Sequence, residues 1–311
     1  MKILIVLASG IGNSILFGPT LKALRKNFDN AKIDIFSYKP SFAEPFVGSD
    51  LVNKVIYFEG IKTLFSLRKE KYDISITAFP SNKWQFNLFA FLAGAKKRIT
   101  HSYNAGKIIT LSFLQNCKIP ADENLHDVEQ NLNLLKLLNI NLPTDKELFF
   151  KINKENEKYA EEFIEKNNLC GVCLIGVHPG SGPLEFKRAP EKLFINKINS
   201  IKNKDKVVLI FGGSEEKEIK EKIKNMIKIK SFIINENLKN VAALIARCDY
   251  FITNDTGLMH IAVAVKKPKV FAFFQGTNPT RTRPYSKKAK LILLKENRLK
   301  YPFYSTKAEE E

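Results

Sequence analysis

Short unbroken apolar runs alternate with longer segments of mixed polarity along most of the chain. Residues 2–8 (KILIVLA) predict a strand buried on both faces, because a half-exposed strand would alternate apolar and polar positions. The loop SGIGN follows, then a helix from about Ser14 to Asn27. Strands are expected at 31–38, 54–58 and 73–79. A short helix near 41–47, a helix at 60–70 and a very apolar one at 84–95 lie between and after them. The polar stretch 139–156 with its single Pro predicts a boundary. The pattern then restarts with a helix at 154–167 and strands at 172–177 and 206–211. A Gly-Gly loop, a basic helix at 215–228 and a strand at 231–234 come next. A helix at 238–247, a strand at 250–253, a helix at 257–265 and a strand at 269–274 complete it. Alternating strands and helices predict an α/β chain of two doubly wound halves, 1–150 and 151–311, with no evident repeat between them. Ligands bind such sheets beyond the carboxyl ends of strands, and a two-domain version would hold them in the cleft between the halves. The end, TKAEEE, reads as a frayed tail.

Charge narrows the partners. Of 311 residues, 50 are basic and 32 acidic, giving +18. Such a balance favours anionic partners, namely nucleic acid, acidic membrane or phosphorylated substrates. A Lys-rich solvated surface would produce the same number. No recognised nucleic-acid module is visible, so nucleic acid is not an expected partner. No run approaches the roughly 18 apolar residues of a membrane span, and Ile3–Ala8 is too short for the core of a secretory signal. Four cysteines make no disulfide framework. The expected location is the cytoplasm. Cys170 and Cys173 form a lone C-x-x-C that predicts packing, not zinc. Trp84–Ala95 precedes Lys96, Lys97 and Arg98, which suits either a buried helix or peripheral contact with the anionic inner leaflet.

The strand-end loops carry the candidate chemistry. SGIGNS resembles a dinucleotide fingerprint but fails it, since the third Gly would fall at Ile15. Gly10 and Gly12 still allow a ligand close to the backbone. In HPGSGPLEFKRAPEKLF, small residues including Ser181 and Gly182 precede Lys187, a combination suited to phosphate. In FGGSEEKE, Glu215 and Glu216 can either favour a helix dipole or accept from ribose hydroxyls. In NDTGLMHIAVA, Asp255 or Thr256 is placed to cap a helix starting near Gly257, whose free first-turn N–H groups attract anions. Met259 and His260 fall in that first turn, and His260 can donate to an anionic oxygen.

NDTGLMHIAVA, HPGS…K, FGG…E and FFQGTNPTRTRPYS occur in this order, and together with the start ILIVLASGIGNSILFGPTLKALR they resemble the heptosyltransferase family of lipopolysaccharide core synthesis, glycosyltransferase family 9. The resemblance implies a GT-B fold of two Rossmann-like domains, an N-terminal one for the acceptor and a C-terminal one for a nucleotide-sugar. It implies inverting transfer from a nucleotide diphosphate-sugar, usually ADP-heptose, without metal or cofactor, and no Asp-x-Asp is present. Carried over, Thr256 and Gly257 would bind the diphosphate through backbone amides, and Lys187 with Ser181 and Gly182 would neutralise it. Glu216, or Glu215 beside it, would hold the ribose. Asp255 and His260 would lie near sugar and phosphate, and Glu236, Asn237 and Leu238 would line the base. The family's Lys-x-Trp-Pro is Lys187-Arg188-Ala189-Pro190 here. Many members carry Asp where this chain has Asn13, and an amide cannot take a proton near neutral pH. General bases contribute on the order of 10²–10⁴-fold, so another group acts, Asn13 only orients the acceptor, or the chain has drifted. The expected partners are a nucleotide diphosphate-sugar and an anionic, lipid-linked saccharide of lipopolysaccharide-core type. The rival readings are a GT-B nucleotide-sugar epimerase and a non-catalytic nucleotide-sugar or polyanion binder.

Overall fold

The computed structural model of the chain describes residues 1–103 and 110–294. The expected tail at 306–311 lies outside the described residues. The chain divides into two compact units, one of residues 1–151 and one starting at Ile152. Each is built on a six-stranded sheet whose neighbouring strands are all parallel.

The first unit runs β1 (Lys2–Leu7), α1 (Ile11–Asn27), β2 (Lys32–Ser37), α2 (Pro40–Ala43), β3 (Lys54–Tyr57), α3 (Ile61–Lys69), β4 (Ile74–Thr77), α4 (Trp84–Leu92), β5 (Lys97–Ser102), β6 (Cys117–Pro120) and α5 (Asp127–Asn133). Strand order is β3-β2-β1-β4-β5-β6. The continuous apolar run of β1 is buried on both faces, as a parallel sheet covered by helices requires, and β2 (KIDIFS) is buried likewise, its Asp34 accepting from the Tyr72 hydroxyl at 2.9 Å. β5 (KRITHS) and β6 (CKIP) have no such run. Their polar residues find partners instead: Thr100 Oγ1 donates to Ser81 Oγ at 2.8 Å, and His101 Nε2 lies 3.1 Å from the Gln130 carbonyl. Burial pulls the His101 pKa down to about 3, so the ring is neutral. On α4, Phe86 and Phe89 enter the core while Trp84 and Phe91 stay exposed.

α1 begins at Ile11, not near Ser14. The Ser14 N–H donates to the Gly10 carbonyl at 3.2 Å, which closes a turn around Gly12 and Asn13. These two residues therefore lie in the first helical turn and not in a loop. No side chain caps this helix start, whose N-cap is Gly10.

The second unit runs α6 (Lys154–Lys166), β7 (Cys173–His178), α7 (Glu191–Ser200), β8 (Lys206–Ile210), α8 (Lys217–Met226), β9 (Ser231–Ile233), α9 (Leu238–Ile245), β10 (Tyr250–Asn254), α10 (Gly257–Ala264), β11 (Lys269–Phe274), α11 (Pro279–Thr282) and β12 (Lys290–Leu293). Strand order is β12-β11-β10-β7-β8-β9. Ile175, Val177, Phe194, Ile198, Val208, Ile210, Ile252 and Phe273 form part of its core. The chain leaves β7 for β8 and β9, then crosses back to β10 on the other side of β7. β7 and β10 thus flank the topological switch point, and their parallel register sets His178 against Thr253. Among the described residues, no helix is long and apolar enough to cross a membrane.

Candidate functional site

The loops after β7 and β10 are tied together by Asn254, which is fully buried. Its Oδ1 accepts from the Ala189 N–H at 3.0 Å, and its Nδ2 donates to the carbonyls of Pro179 and Gly180, both at 2.9 Å. One side chain at the end of β10 therefore fixes both ends of the loop that carries Ser181 and Lys187.

Glu216 ties in the loop after β8. It sits in a 3-10 turn, Ser214–Glu216, just before α8. Its carboxylate is 5% exposed. Oε1 accepts from the Gly182 N–H at 2.9 Å and Oε2 from the Gly213 N–H at 3.0 Å. Oε2 also lies 3.0 Å from His178 Nε2. Burial alone would raise the Glu216 pKa, but His178 and the two backbone N–H groups outweigh it and hold the pKa near about 2. Gly180 leaves the space that the Glu216 carboxylate fills, since a Cβ there would displace that carboxylate from its hydrogen bonds. Gly182 has φ +59°, in the left-handed region. The other ring nitrogen of His178, Nδ1, lies 3.0 Å from Thr256 Oγ1.

That contact changes the capping of α10. Thr256 occupies the N-cap position, yet its side chain makes no capping hydrogen bond. The Thr256 hydroxyl is turned to His178, and the Asp255 carboxylate is 3.0 Å from the Lys187 ammonium. Neither expected cap operates, because each side chain has a stronger local partner. The first-turn N–H groups keep their partial positive charge beside a cation. The buried hydroxyls of Ser181 and Thr277 have no hydrogen-bond partner among the described residues. His260 is buried in the first turn of α10. A cation, an uncapped helix start and two donor hydroxyls in neighbouring loops form a set suited to an anion with several oxygens.

Other expected residues are placed differently. Glu215 is exposed, whereas Glu216 is committed within the protein. The Gly182 N–H is likewise taken, by Glu216. Asn237 caps α9 through its side chain, which accepts from the Asn240 N–H at 3.0 Å, and Leu238 is the first residue of that helix. In the first unit, a Cβ at Gly10 would meet nothing within 4 Å, and no hydrogen bond occupies the half-buried Asn13 side chain among the described residues. No group of three or more His, Cys, Asp or Glu able to hold a metal occurs among the described residues. Cys173 is buried, which raises its thiol pKa, and Cys170 is exposed.

His178, Gly180, Asn254 and Lys220 belong to this corner without standing out in the sequence as site residues. A His followed by Pro-Gly at the end of a buried strand was the available signal for the first two. Lys220 gave none, standing among the other lysines of α8. It is nearly fully buried, and its Nζ donates to the Gly212 carbonyl at 3.0 Å and to Asn235 Oδ1 at 2.7 Å. Burial lowers its pKa, against the raising charges of Glu216, Glu215 and Glu221.

Residues 62–310 match the model of glycosyltransferase family 9 (heptosyltransferase). The chain is 28% identical to lipooligosaccharide heptosyltransferase 2 of Campylobacter jejuni over 94% of its own length and 88% of the relative's. It is 24% identical to lipopolysaccharide heptosyltransferase 2 of Escherichia coli, with 94% and 88% covered. Its fold is similar to that of a glycosyl transferase family 9 protein from Veillonella parvula, with TM-score 0.80, 22% identity and 94% and 86% of the chains covered. It is also similar to that of E. coli ADP-heptose lps heptosyltransferase II, with TM-score 0.77, 23% identity and 94% and 90% covered.

Proposed function

The chain belongs to glycosyltransferase family 9, and on that premise we propose that this glycosyltransferase moves heptose from ADP-heptose to an anionic acceptor of lipopolysaccharide-core type, with inversion and without a metal. The observation that carries the reading is the Lys187 cation beside the uncapped start of α10, at the β7/β10 switch point. As the bond between sugar and diphosphate breaks, negative charge grows on the departing phosphate. Lys187 and the N–H groups after Thr256 stabilise that charge, and Ser181 adds a hydroxyl donor. This preorganised electrostatic stabilisation takes the place of a metal ion. Glu216 keeps the loops of this corner in register, which leaves Glu215 as the exposed carboxylate for the ribose. Asp255 orients Lys187, His260 backs the first turn of α10, and the α9 start at Asn237 and Leu238 faces the base.

Acceptor binding belongs to the first unit, at the start of α1. Gly10 leaves room for a ligand there, and the Asn13 carboxamide is unpartnered among the described residues. Asn13 orients the acceptor hydroxyl and does not take its proton. The acceptor is lipid-linked, and the protein meets it at the cytoplasmic face of the inner membrane. Ile61 and Phe65 on α3 and Trp84 and Phe91 on α4 are exposed, and Lys62, Lys69 and Lys83 accompany them. An apolar, aromatic and cationic surface of this kind suits an anionic leaflet.

The test is thermal stability against ADP-, GDP-, UDP- and dTDP-sugars and the free nucleotides. A ligand that binds only the folded state raises the melting temperature. A selective rise with ADP compounds, lost in Lys187→Ala, is expected. Selectivity for UDP or GDP would move the substrate away from heptose. Consumption of donor with no acceptor present would favour an epimerase, and donor binding that never leads to transfer would favour a binder.

A further inference from the structure

Glu216, His178 and Thr256 form a line of hydrogen bonds that ends at the first turn of α10. An ionised carboxylate only accepts, so His178 Nε2 must carry a proton to bond Glu216. The variable atom is Nδ1. In the neutral ring it accepts, and the Thr256 hydroxyl hydrogen points to it. Only lone pairs of Thr256 then face outward, which repel an anionic oxygen. In the imidazolium, Nδ1–H donates to Thr256 Oγ1, and the hydroxyl hydrogen is released to the anion.

We propose that His178 and Glu216 are positioning residues that couple anion binding at Thr256–Gly257 to the uptake of one proton from solvent at His178 Nδ1. The inference rests on the donor-diphosphate reading of that corner. The charged and titratable groups nearby come from several elements. Glu216 and the exposed Glu215 come from the connection after β8, and Lys220 from α8 lies within reach of both their charges. Lys187 precedes α7 and is paired with Asp255 beyond β10. His260 belongs to α10. Thr253 Oγ1, 3.4 Å from Thr256 Oγ1, is the remaining local acceptor for the released hydrogen and itself donates to the Asn254 carbonyl at 3.0 Å. Lys187 offsets Asp255, and Lys220 offsets Glu216. A bound diphosphate is therefore a net negative charge next to His178, and it favours the imidazolium. Coupling is reciprocal, so protonation strengthens anion binding by the same factor. Affinity then falls as pH rises, by up to about tenfold per pH unit.

The experiment is calorimetric titration with ADP between about pH 6 and 8.5, where imidazole chemistry operates, in two buffers of different protonation enthalpy. Long-range proton–nitrogen spectra of the four histidine rings accompany it. Without ligand, at the alkaline end, His178 should be the Nε2–H tautomer. ADP should move its Nδ1 to the protonated position. The unaltered protein should take up about one proton more than Thr256→Val or His178→Gln. Comparing proteins cancels the titration of ADP itself. Thr256→Val removes one hydroxyl and keeps the shape, so the comparison survives if His178→Gln misfolds. Where a variant binds too weakly to count protons, the ring spectra of the unaltered protein decide. ADP binding with equal proton counts and an unchanged His178 ring overturns the coupling and leaves the donor site standing. No ADP binding at any pH overturns the donor site and the coupling with it.

Discussion

Lys187 Nζ lies 3.0 Å from Asp255 Oδ2, joining residues 68 positions apart. The carboxylate is 5% exposed and the lysine 18%. The cation expected to meet a diphosphate is thus already held by a buried acid. One oxygen of Asp255 fixes the ammonium, whose other N–H groups have no hydrogen bond among the described residues.

Lys187→Ala should lower transfer on the order of 10²–10³-fold, the usual cost of losing a donor aimed at developing charge. It should also cost about 1–3 kcal/mol of stability, because Asp255 is left buried and unpaired. Adding Asp255→Asn should restore much of the stability and none of the transfer. Initial rates and melting curves on the two variants and the unaltered protein separate the two effects. Full transfer by Lys187→Ala would remove Lys187 from the mechanism.

Acid stability reports on Glu216. Its folded pKa of about 2 lies below the ordinary 4.5. A depressed carboxylate pKa stabilises the fold above the unfolded value, and that stability is lost as pH falls from 4.5 through about 2. The shift corresponds to about 3 kcal/mol. The stability gap between the unaltered protein and Glu216→Gln should be full at pH 6 and shrink across that window. Urea melts at several pH values measure it, and a gap independent of pH would contradict the assignment.

Asn13→Asp places a titratable group in the first turn of α1. Transfer should rise by about tenfold or more, since a general base contributes on the order of 10²–10⁴-fold when well placed. The rate should gain an ascending limb as the new carboxylate ionises. Asn13→Ala should reduce transfer by a smaller factor. If Asn13→Asp slows transfer, the amide does more than orient the acceptor.

Phe65 is 61% exposed and Trp84 47%. Replacing both by Ser should weaken sedimentation with anionic vesicles severalfold while the melting temperature stays within a degree or two, because exposed side chains contribute little to the fold. Equal sedimentation of both proteins would remove α3 and α4 from the membrane surface.

The sequence revealed the strands that are apolar on both faces, such as β1, β8 and β11. It hid β5 and β6, where Lys, Arg or Pro interrupts the run, and β12, whose apolar run Leu291–Leu294 is only four residues long. The polar corner at Asp255–His260 was legible because it carries more chemistry than a turn requires. The line from Glu216 through His178 to Thr256 was not, since it depends on which strands become neighbours. Lys220 looked solvated among the lysines of α8, until the helix placed it next to the buried stripe of Ile219 and Ile223. α1 began early because a backbone hydrogen bond, and no capping side chain, closed its first turn.

The adjacency of β7 and β10 has a consequence for the growing polypeptide. His178 and Thr256 are 78 residues apart, and everything between them must be synthesised before they can meet. A nascent chain that has exposed β7, β8 and β9 has Lys187 but neither Asp255 nor the helix start that faces it. The corner where these residues meet is absent until α10 has emerged and β10 has inserted beside β7. The corner thus forms only after the first three strands of the second sheet, and a chain that stops short of α10 lacks it altogether.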